Sequence, residues 1–328
     1  MTIEASVCLR NQPYIYMKTQ LKTTSNITDP KTNSIMGSPI SSTTNIMTVD
    51  VEDWYQSSLD VLGPEHANLQ RPIFPSDRVV INTRRLLNIF DEYNVKATCF
   101  ILGTVTETYP NLVREINDSG HEIATHGYGH ELVYKLNPKQ FQDDLKRSID
   151  LLESITGKKV NGYRAPYFSI TKESEWALDV LAELGIDYDS SIFPIRRKLY
   201  GFSGRKSFPH KINTNNGSDL YELPISTINF LSKTFPIGGG GYFRFLPYFV
   251  VKKAISTINN KDQPAVFYLH PYELDTDELL KPLPNESKKT QFVRFTQRLN
   301  RSKTEAKLRK LLTDFKWTSV KEWMNKFI

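Results

Sequence analysis

Cysteine is scarce in this chain: Cys8 and Cys99 are the only two in 328 residues. A disulfide framework is thereby excluded. Cys99 lies inside the apolar run KATCFIL (96–102) and reads as a small buried hydrophobe. No stretch approaches the ~18 uninterrupted apolar residues of a membrane helix, and no apolar segment near the start has the form of a secretory signal. These absences imply no integral membrane segment and a cytoplasmic location. Neither sign of charge dominates, since 42 Lys+Arg against 36 Asp+Glu leave a net +6. With 24% charged and 39% hydrophobic residues, the chain as a whole is not disordered, collagenous or coiled-coil. Its length allows two domains at ~150 residues each, but one α/β barrel runs to ~250. Basic charge collects late, in Lys288, Lys289, Arg298, Arg301, Lys303, Lys307, Arg309 and Lys310. These residues alternate with Glu305, Leu308, Leu311 and Leu312 at helical spacing. A solvated helix face explains that better than a nucleic-acid patch, so no nucleic-acid partner is expected.

Residues 1–44 show no sustained periodicity, and 18–44 are rich in Ser, Thr, Asn, Lys and Pro. Such a segment buries too little apolar surface to offset the entropy of ordering, so 1–44 reads as a disordered extension. From Ile46 strand and helix signals alternate. Ile46–Val51 is a short buried strand running into acids. A helix is expected from Asp77 to Tyr93, and a strand over 96–102. Val105, Tyr109, Leu112, Val113 and Ile116 mark one face of a further helix, stopped by Gly120. A strand at 121–125, a helix through Phe141, Leu145, Ile149 and Leu152, and a strand at 160–163 follow. A helix over 171–184 comes next, then strands at 186–189, 220–223 and 264–269. This alternation predicts a parallel sheet or barrel with helices outside, where function collects at the C-terminal ends of strands.

Polar residues interrupt the apolar pattern at those ends. Asp50, Glu52 and Asp53 crowd the end of the first strand, where burial without partners is costly. Side-chain alternation puts Asp50 and Glu52 on one face and Asp53 on another, unless the strand has ended. His126 and His130 are two of only six histidines. Four apart and flanked by glycines, they meet if the backbone turns helically, and imidazole is the commonest zinc ligand. Two imidazoles and a carboxylate would leave a coordination position open for water, as catalytic sites do. Arg164, in RAPY (164–167), is placed to grip a carboxylate through paired N–H groups. His270 follows the last apolar strand and is a candidate general acid. Each signal alone has a plain structural alternative: a solvated strand exit, a chance pair, a surface salt bridge, a core histidine. Their occurrence in this order, each after a strand, is what carries weight.

GHEIATHGYGH (120–130), RAPY (164–167), YDSS (188–191) and YLH (268–270) together resemble the motifs of the polysaccharide deacetylase family, also called NodB homology or carbohydrate esterase family four. The resemblance covers roughly residues 46–273. It extends through GGGGYFR (238–244) to a family-specific C-terminal region at about 275–328, as in the subfamily found with exopolysaccharide and exosortase loci. It implies a distorted (β/α) barrel of seven or so parallel strands, helices outside, with a C-terminal helical extension, over residues 45–328. It also implies a hydrolase that removes N-acetyl groups from amino sugars in a polysaccharide or lipid-linked saccharide. A divalent metal, Zn²⁺ above all, would be held by His126, His130 and one acid. The usual family pattern has two adjacent aspartates, but here Val51 follows Asp50, so either Glu52 or Asp53 supplies the ligand. Asp50 is then the base, Arg164 its orienting partner, and His270 the acid, with Asp189 fixing its tautomer. Trp54, Tyr55, Tyr167, Phe168, Tyr242 and Phe243 are candidate sugar-stacking walls. Two other readings keep the same residues: hydrolysis of a cyclic amide or imide, and a glycan-binding module without catalysis. Gly238–Gly241 lacks the strand-to-helix context of a phosphate loop and reads as part of the substrate cleft.

Overall fold

The computed structural model describes residues 42–54, 56, 76–195, 201–215, 217–231, 233–277 and 287–328. Tyr55, Cys8 and nearly all of the expected N-terminal extension lie outside the described residues. Strand β1 (Thr44–Val51) leads to helix α1 (Asp77–Glu92), β2 (Thr98–Ile101), α2 (Gly103–Thr108), α3 (Pro110–Asp118), β3 (Glu122–Thr125), α4 (Pro138–Thr156), β4 (Gly162–Tyr163), α5 (Ala177–Glu183) and β5 (Tyr188–Asp189). There follow β6 (His210–Asn213), β7 (Asp219–Glu222), β8 (Thr227–Phe230), β9 (Lys233–Pro236), α6 (Gly240–Phe245), α7 (Tyr248–Asn259) and β10 (Val266–Leu269). The chain closes with α8 (Lys288–Arg298), α9 (Arg301–Asp314), β11 (Lys316–Thr318) and α10 (Val320–Phe327).

One nine-stranded sheet runs β10-β1-β2-β3-β4-β5-β7-β6, with β11 paired to β1. All its pairings are parallel except β6 with β7. The sheet is strongly curled into a half-barrel with helices outside, the α/β architecture the sequence predicts. Strand alternation sorts its two faces. Met47, Val49, Val51, Cys99, Ile101, Phe267 and Leu269 pack outward against the helices, in the larger core. Ile46, Phe100, Ala124, Tyr188, Val266 and Tyr268 gather in a smaller apolar cluster on the other face. That inner face also holds Thr48, Asp50 and Arg164, so the polar machinery is threaded through an apolar lining rather than exposed at its rim.

Local chemistry sets the element boundaries. The Ser76 hydroxyl accepts from Arg78 N and starts α1. A reciprocal Asn137–Gln140 cap starts α4, and Gly157, at φ +64°, ends it. The stripe from Val105 to Ile116 is two helices rather than one. Pro110 has no N–H to continue α2, and its fixed φ starts α3 instead. The expected helix over 171–184 likewise begins as a separate 3-10 turn, Lys172–Ser174, before α5.

The late basic run is only partly a solvated face. Arg301 is buried, and Lys307 Nζ bonds the carbonyls of Phe243, Arg244 and Leu246 at 2.9–3.1 Å, closing the end of α6. Arg309 pairs with Glu92 and Glu305. Lys307 and Arg309 thus tie α9 to α6 and α1. No helix among the described residues is long and apolar enough to cross a membrane.

Candidate metal and catalytic site

Five of the parallel strands deliver polar side chains to one end of the sheet. Asp50 lies one residue before the end of β1 and Glu52 just past it, His126 follows β3, Arg164 follows β4, Ser190 follows β5, and His270 follows β10. Arg164 is fully buried and is the hub. Its Nη1 donates to Asp50 Oδ1 at 2.6 Å and to Thr48 Oγ1 at 2.8 Å. Nη2 donates to Ser190 Oγ at 2.8 Å and Nε to the Ser190 carbonyl at 3.1 Å. Its guanidinium lies over the Phe100 ring, 4.2 Å from the centroid. The fixed cation offsets part of the hydration that the Asp50 carboxylate loses on burial.

Beside Asp50, Glu52 converges with two imidazoles. Glu52 Oε2 lies 2.8 Å from His130 Nε2 and 3.6 Å from His126 Nε2. All three residues are buried, and their ligand atoms fall within 4.8 Å of one another. His126 Nδ1 sits 2.7 Å from the Arg164 carbonyl. A carbonyl only accepts, so Nδ1 carries the proton and Nε2 presents a lone pair to the cluster. Glu52 Oε2 is buried yet makes no hydrogen bond of good geometry. A carboxylate oxygen and two imidazole nitrogens converging on one point, with that oxygen otherwise unsatisfied, fit a divalent cation. Burial works to raise the Glu52 pKa, but His130 and His126 outweigh it and hold the carboxyl well below the usual range.

Of the two acids left open by the sequence, Glu52 is the one in this cluster. Asp53 faces elsewhere, accepting from Ser76 N at 2.6 Å and Ser76 Oγ at 3.1 Å. It therefore anchors the start of α1. The His126–His130 segment is not a helical turn. It is a loop with left-handed residues at Gly127 (φ +77°) and His130 (φ +62°). Asp144 of α4 holds this loop, accepting from Tyr128 N at 2.8 Å and Gly129 N at 3.2 Å. An acid at that distance gave no motif signal. Asp144→Asn is expected to keep the fold and weaken metal affinity by about 10–100-fold, as loss of an outer support does. Metal titration of the stripped protein measures this.

The partner of His270 is Glu273, not Asp189. His270 Nδ1 lies 2.7 Å from Glu273 Oε1, which also accepts from His270 N at 3.2 Å. His270 Nε2 points to the site, 3.4 Å from Glu52 Oε1 and 3.9 Å from Asp50 Oδ2. Burial disfavours the imidazolium, yet the Glu273 bond and the nearby carboxylates outweigh it and raise the His270 pKa. Asp189 instead accepts from Ser191 Oγ at 2.5 Å and from Ser191 N at 3.2 Å. Ser191 Oγ in turn accepts from Ala165 N at 2.7 Å, so Asp189 braces the RAPY loop. Burial, and then the neighbouring Asp189, push the Glu222 pKa well up, and burial raises that of Asp189 as well.

A cavity of about 390 Å³ opens above these groups, lined by Asp50, Glu52, His126, His130 and His270. Tyr167, Phe168 and Tyr242 form part of its wall, Tyr167 at φ +54° with its ring edge-on to His130. Trp54 is buried and is not among the lining residues, and Phe243 is core, packed on Phe267. The glycine run has a different use from the one expected. Tyr268 N donates to Gly238 O at 2.7 Å, and a Cβ at Gly239 would lie 1.8 Å from Tyr268 O. Only glycine lets this segment press against β10, two residues before His270. Gly241 alone of the four reaches the cavity wall.

Residues 77–188 match the family model described as polysaccharide deacetylase, and that span contains His126, His130 and Arg164. Over that third of its length the chain is similar to the polysaccharide deacetylase family. A second model, described as a domain of unknown function (DUF3473), matches residues 190–325. Among curated relatives, a peptidoglycan deacetylase-like protein of Gibberella zeae is 41% identical over 37% of the chain and 35% of its own length. The peptidoglycan deacetylase of Helicobacter pylori is 33% identical over 38% of the chain and 41% of its own length. The chain thus spans well under half of these relatives. A crystal structure of a putative polysaccharide deacetylase from Mycobacterium smegmatis shares the fold at 20% identity, with a TM-score of 0.54 over 88% of this chain and 93% of that one.

Proposed function

We propose that the chain is a metal-dependent hydrolase that removes N-acetyl groups from amino sugars in a polysaccharide or lipid-linked saccharide, with Zn²⁺ as the resident ion. The observation that carries this reading is the convergence of the Glu52, His126 and His130 ligand atoms in the same cavity as Asp50 and His270. A divalent ion there supplies Lewis acidity at the amide carbonyl and acidifies water. The protein's own groups do the rest. Asp50 takes the proton from the attacking water, with Arg164 holding its carboxylate in place. The backbone N–H at Tyr167 is assigned to the tetrahedral oxyanion. His270 Nε2 gives a proton to the departing amine nitrogen as the C–N bond breaks, since an unprotonated amine leaves poorly. Tyr167, Phe168 and Tyr242 offer ring faces or edges to the sugar.

A binding module has no use for a base and a proton donor on either side of a metal site, which favours catalysis. The VDVEDW sequence (49–54) at the start of the site is the reason for proposing the subfamily found with exopolysaccharide loci. The test is acetate release from acetylated hexosamine oligomers, with and without chelator. Release that stops on chelation and returns with added metal supports the reading. Release of no acetate, with opening of a cyclic amide instead, replaces it. His270→Gln is expected to retain metal and lose about 10²-fold in turnover, measured by the same assay with metal analysis.

A further inference from the structure

Residues outside the family model's 77–188 span build a buried support beneath His270. Glu273 Oε1 holds His270 Nδ1 at 2.7 Å. The other oxygen, Oε2, is 3.2 Å from Arg244 Nε, an ion pair rather than a well-aligned hydrogen bond. Both side chains are at most 5% exposed. Arg244 Nη1 is fixed in turn by carbonyls at the end of α8: Gln297 O at 2.6 Å, Thr296 O and Leu299 O each at 3.3 Å. The glycine run sets the reach of this arm, because pressing Gly239 against β10 places α6, and with it Arg244, under the strand that carries His270.

We propose that Glu273 and Arg244 are positioning residues for His270, an ionic strut that fixes the proton on Nδ1 and aims Nε2 into the site, in place of Asp189. The inference rests on the proposed function for its kinetic meaning, though not for its geometry. A carboxylate accepts only, so Glu273 commits Nδ1 to the proton and leaves Nε2 as the atom facing Glu52 and Asp50. A guanidinium held by three carbonyls cannot swing, so it keeps Glu273 in that rotamer. In the step this serves, one proton moves from Nε2 to the amine nitrogen, the C–N bond electrons stay on that nitrogen, and bulk solvent later reprotonates Nε2.

The test uses the metal-loaded full chain with Glu273→Gln, Arg244→Ala and Arg244→Lys. Two substrates are compared: an N-acetylglucosamine oligomer, whose amine needs a proton to leave, and 4-nitrophenyl acetate, whose phenolate does not. For Glu273→Gln the amide kcat is expected to fall by about 10²-fold with KM nearly unchanged, and the ester rate far less. Arg244→Ala should follow the same pattern, and Arg244→Lys should recover part of it. Equal losses on both substrates mean a merely structural role and overturn the proposal. So does a rise in KM alone, which would make Arg244 a substrate contact, or full amide turnover in Glu273→Gln. A readout independent of activity is the far-downfield Nδ1–H proton resonance of His270, assigned with His270→Gln. It should be present in the parent protein and lost in Glu273→Gln; its absence from the parent overturns the strut. A parent protein that shows this resonance but releases no acetate refutes the proposed function and leaves the strut standing.

Discussion

Replacing His130 by alanine is expected to remove the bound ion and acetate release together. The site has three ligating side chains, and His130 makes the closest approach to Glu52, at 2.8 Å between Nε2 and Oε2. Without it, an ion would be left with two protein ligands, and Glu52 would remain a buried carboxylate with one of its two imidazole partners gone. Lewis-acid stabilisation supplies several kcal/mol to amide hydrolysis. At 1.36 kcal/mol per factor of ten, its loss lowers turnover by about 10³-fold or more. His126→Ala should behave alike, because His126 Nε2 shares the same Glu52 oxygen. Asp144→Asn acts on the loop rather than the ion, so excess metal should rescue it but not His130→Ala. Metal content by mass spectrometry beside acetate release separates the two classes.

Arg164→Met is expected to be the most damaging single change to stability. Arg164 is fully buried and bonds Asp50 and Thr48 of β1 and Ser190 after β5. Methionine fills part of its volume on Phe100 but leaves Asp50 a buried charge without its cation. Breaking a buried pair in this way costs about 3–5 kcal/mol. For a domain of this size that is a fall in Tm of roughly 10 °C. Adding Asp50→Asn to Arg164→Met should recover part of the loss, because the stranded charge disappears. Asp50→Asn alone strands the buried Arg164 cation in turn, so it should also be destabilising, and as inactive as the double variant. Thermal denaturation of the four proteins in this cycle checks the energetics, and acetate release checks the chemistry.

The site was legible where one strand fixes it. Alternation along β1 placed Asp50 and Glu52 on one face and separated Asp53, which is what the cluster shows. His126, Arg164 and His270 each follow an apolar strand, and parallel pairing brings those ends together. What failed to show was contact between elements far apart in sequence. Asp189 sits in a family motif, but its carboxylate turns to Ser191, while Glu273, three residues after His270, takes the imidazole. The acid at that spacing was the available signal. Arg244 and Asp144 had none, since each acts through backbone carbonyls or N–H groups of another segment. The HGYGH pair converges through left-handed residues rather than a helical turn, and spacing alone does not distinguish the two. Strands β6, β8, β9 and β11 escaped notice because they are short or partly exposed and lack an apolar run. Arg301 and Lys307 looked like a charged surface because composition does not reveal that carbonyls at helix ends need donors.

Metal-dependent acetate release by stripped protein tests the central claim most directly. Zinc would be titrated into the chelator-treated chain while acetate is collected from an N-acetylglucosamine oligomer. Activity should climb in proportion to added ion, level off at one equivalent per chain, and stay at baseline throughout for Glu52→Ala. Turnover that is already full before any ion is added, or that rises just as well in Glu52→Ala, would contradict a reaction centred on Glu52, His126 and His130.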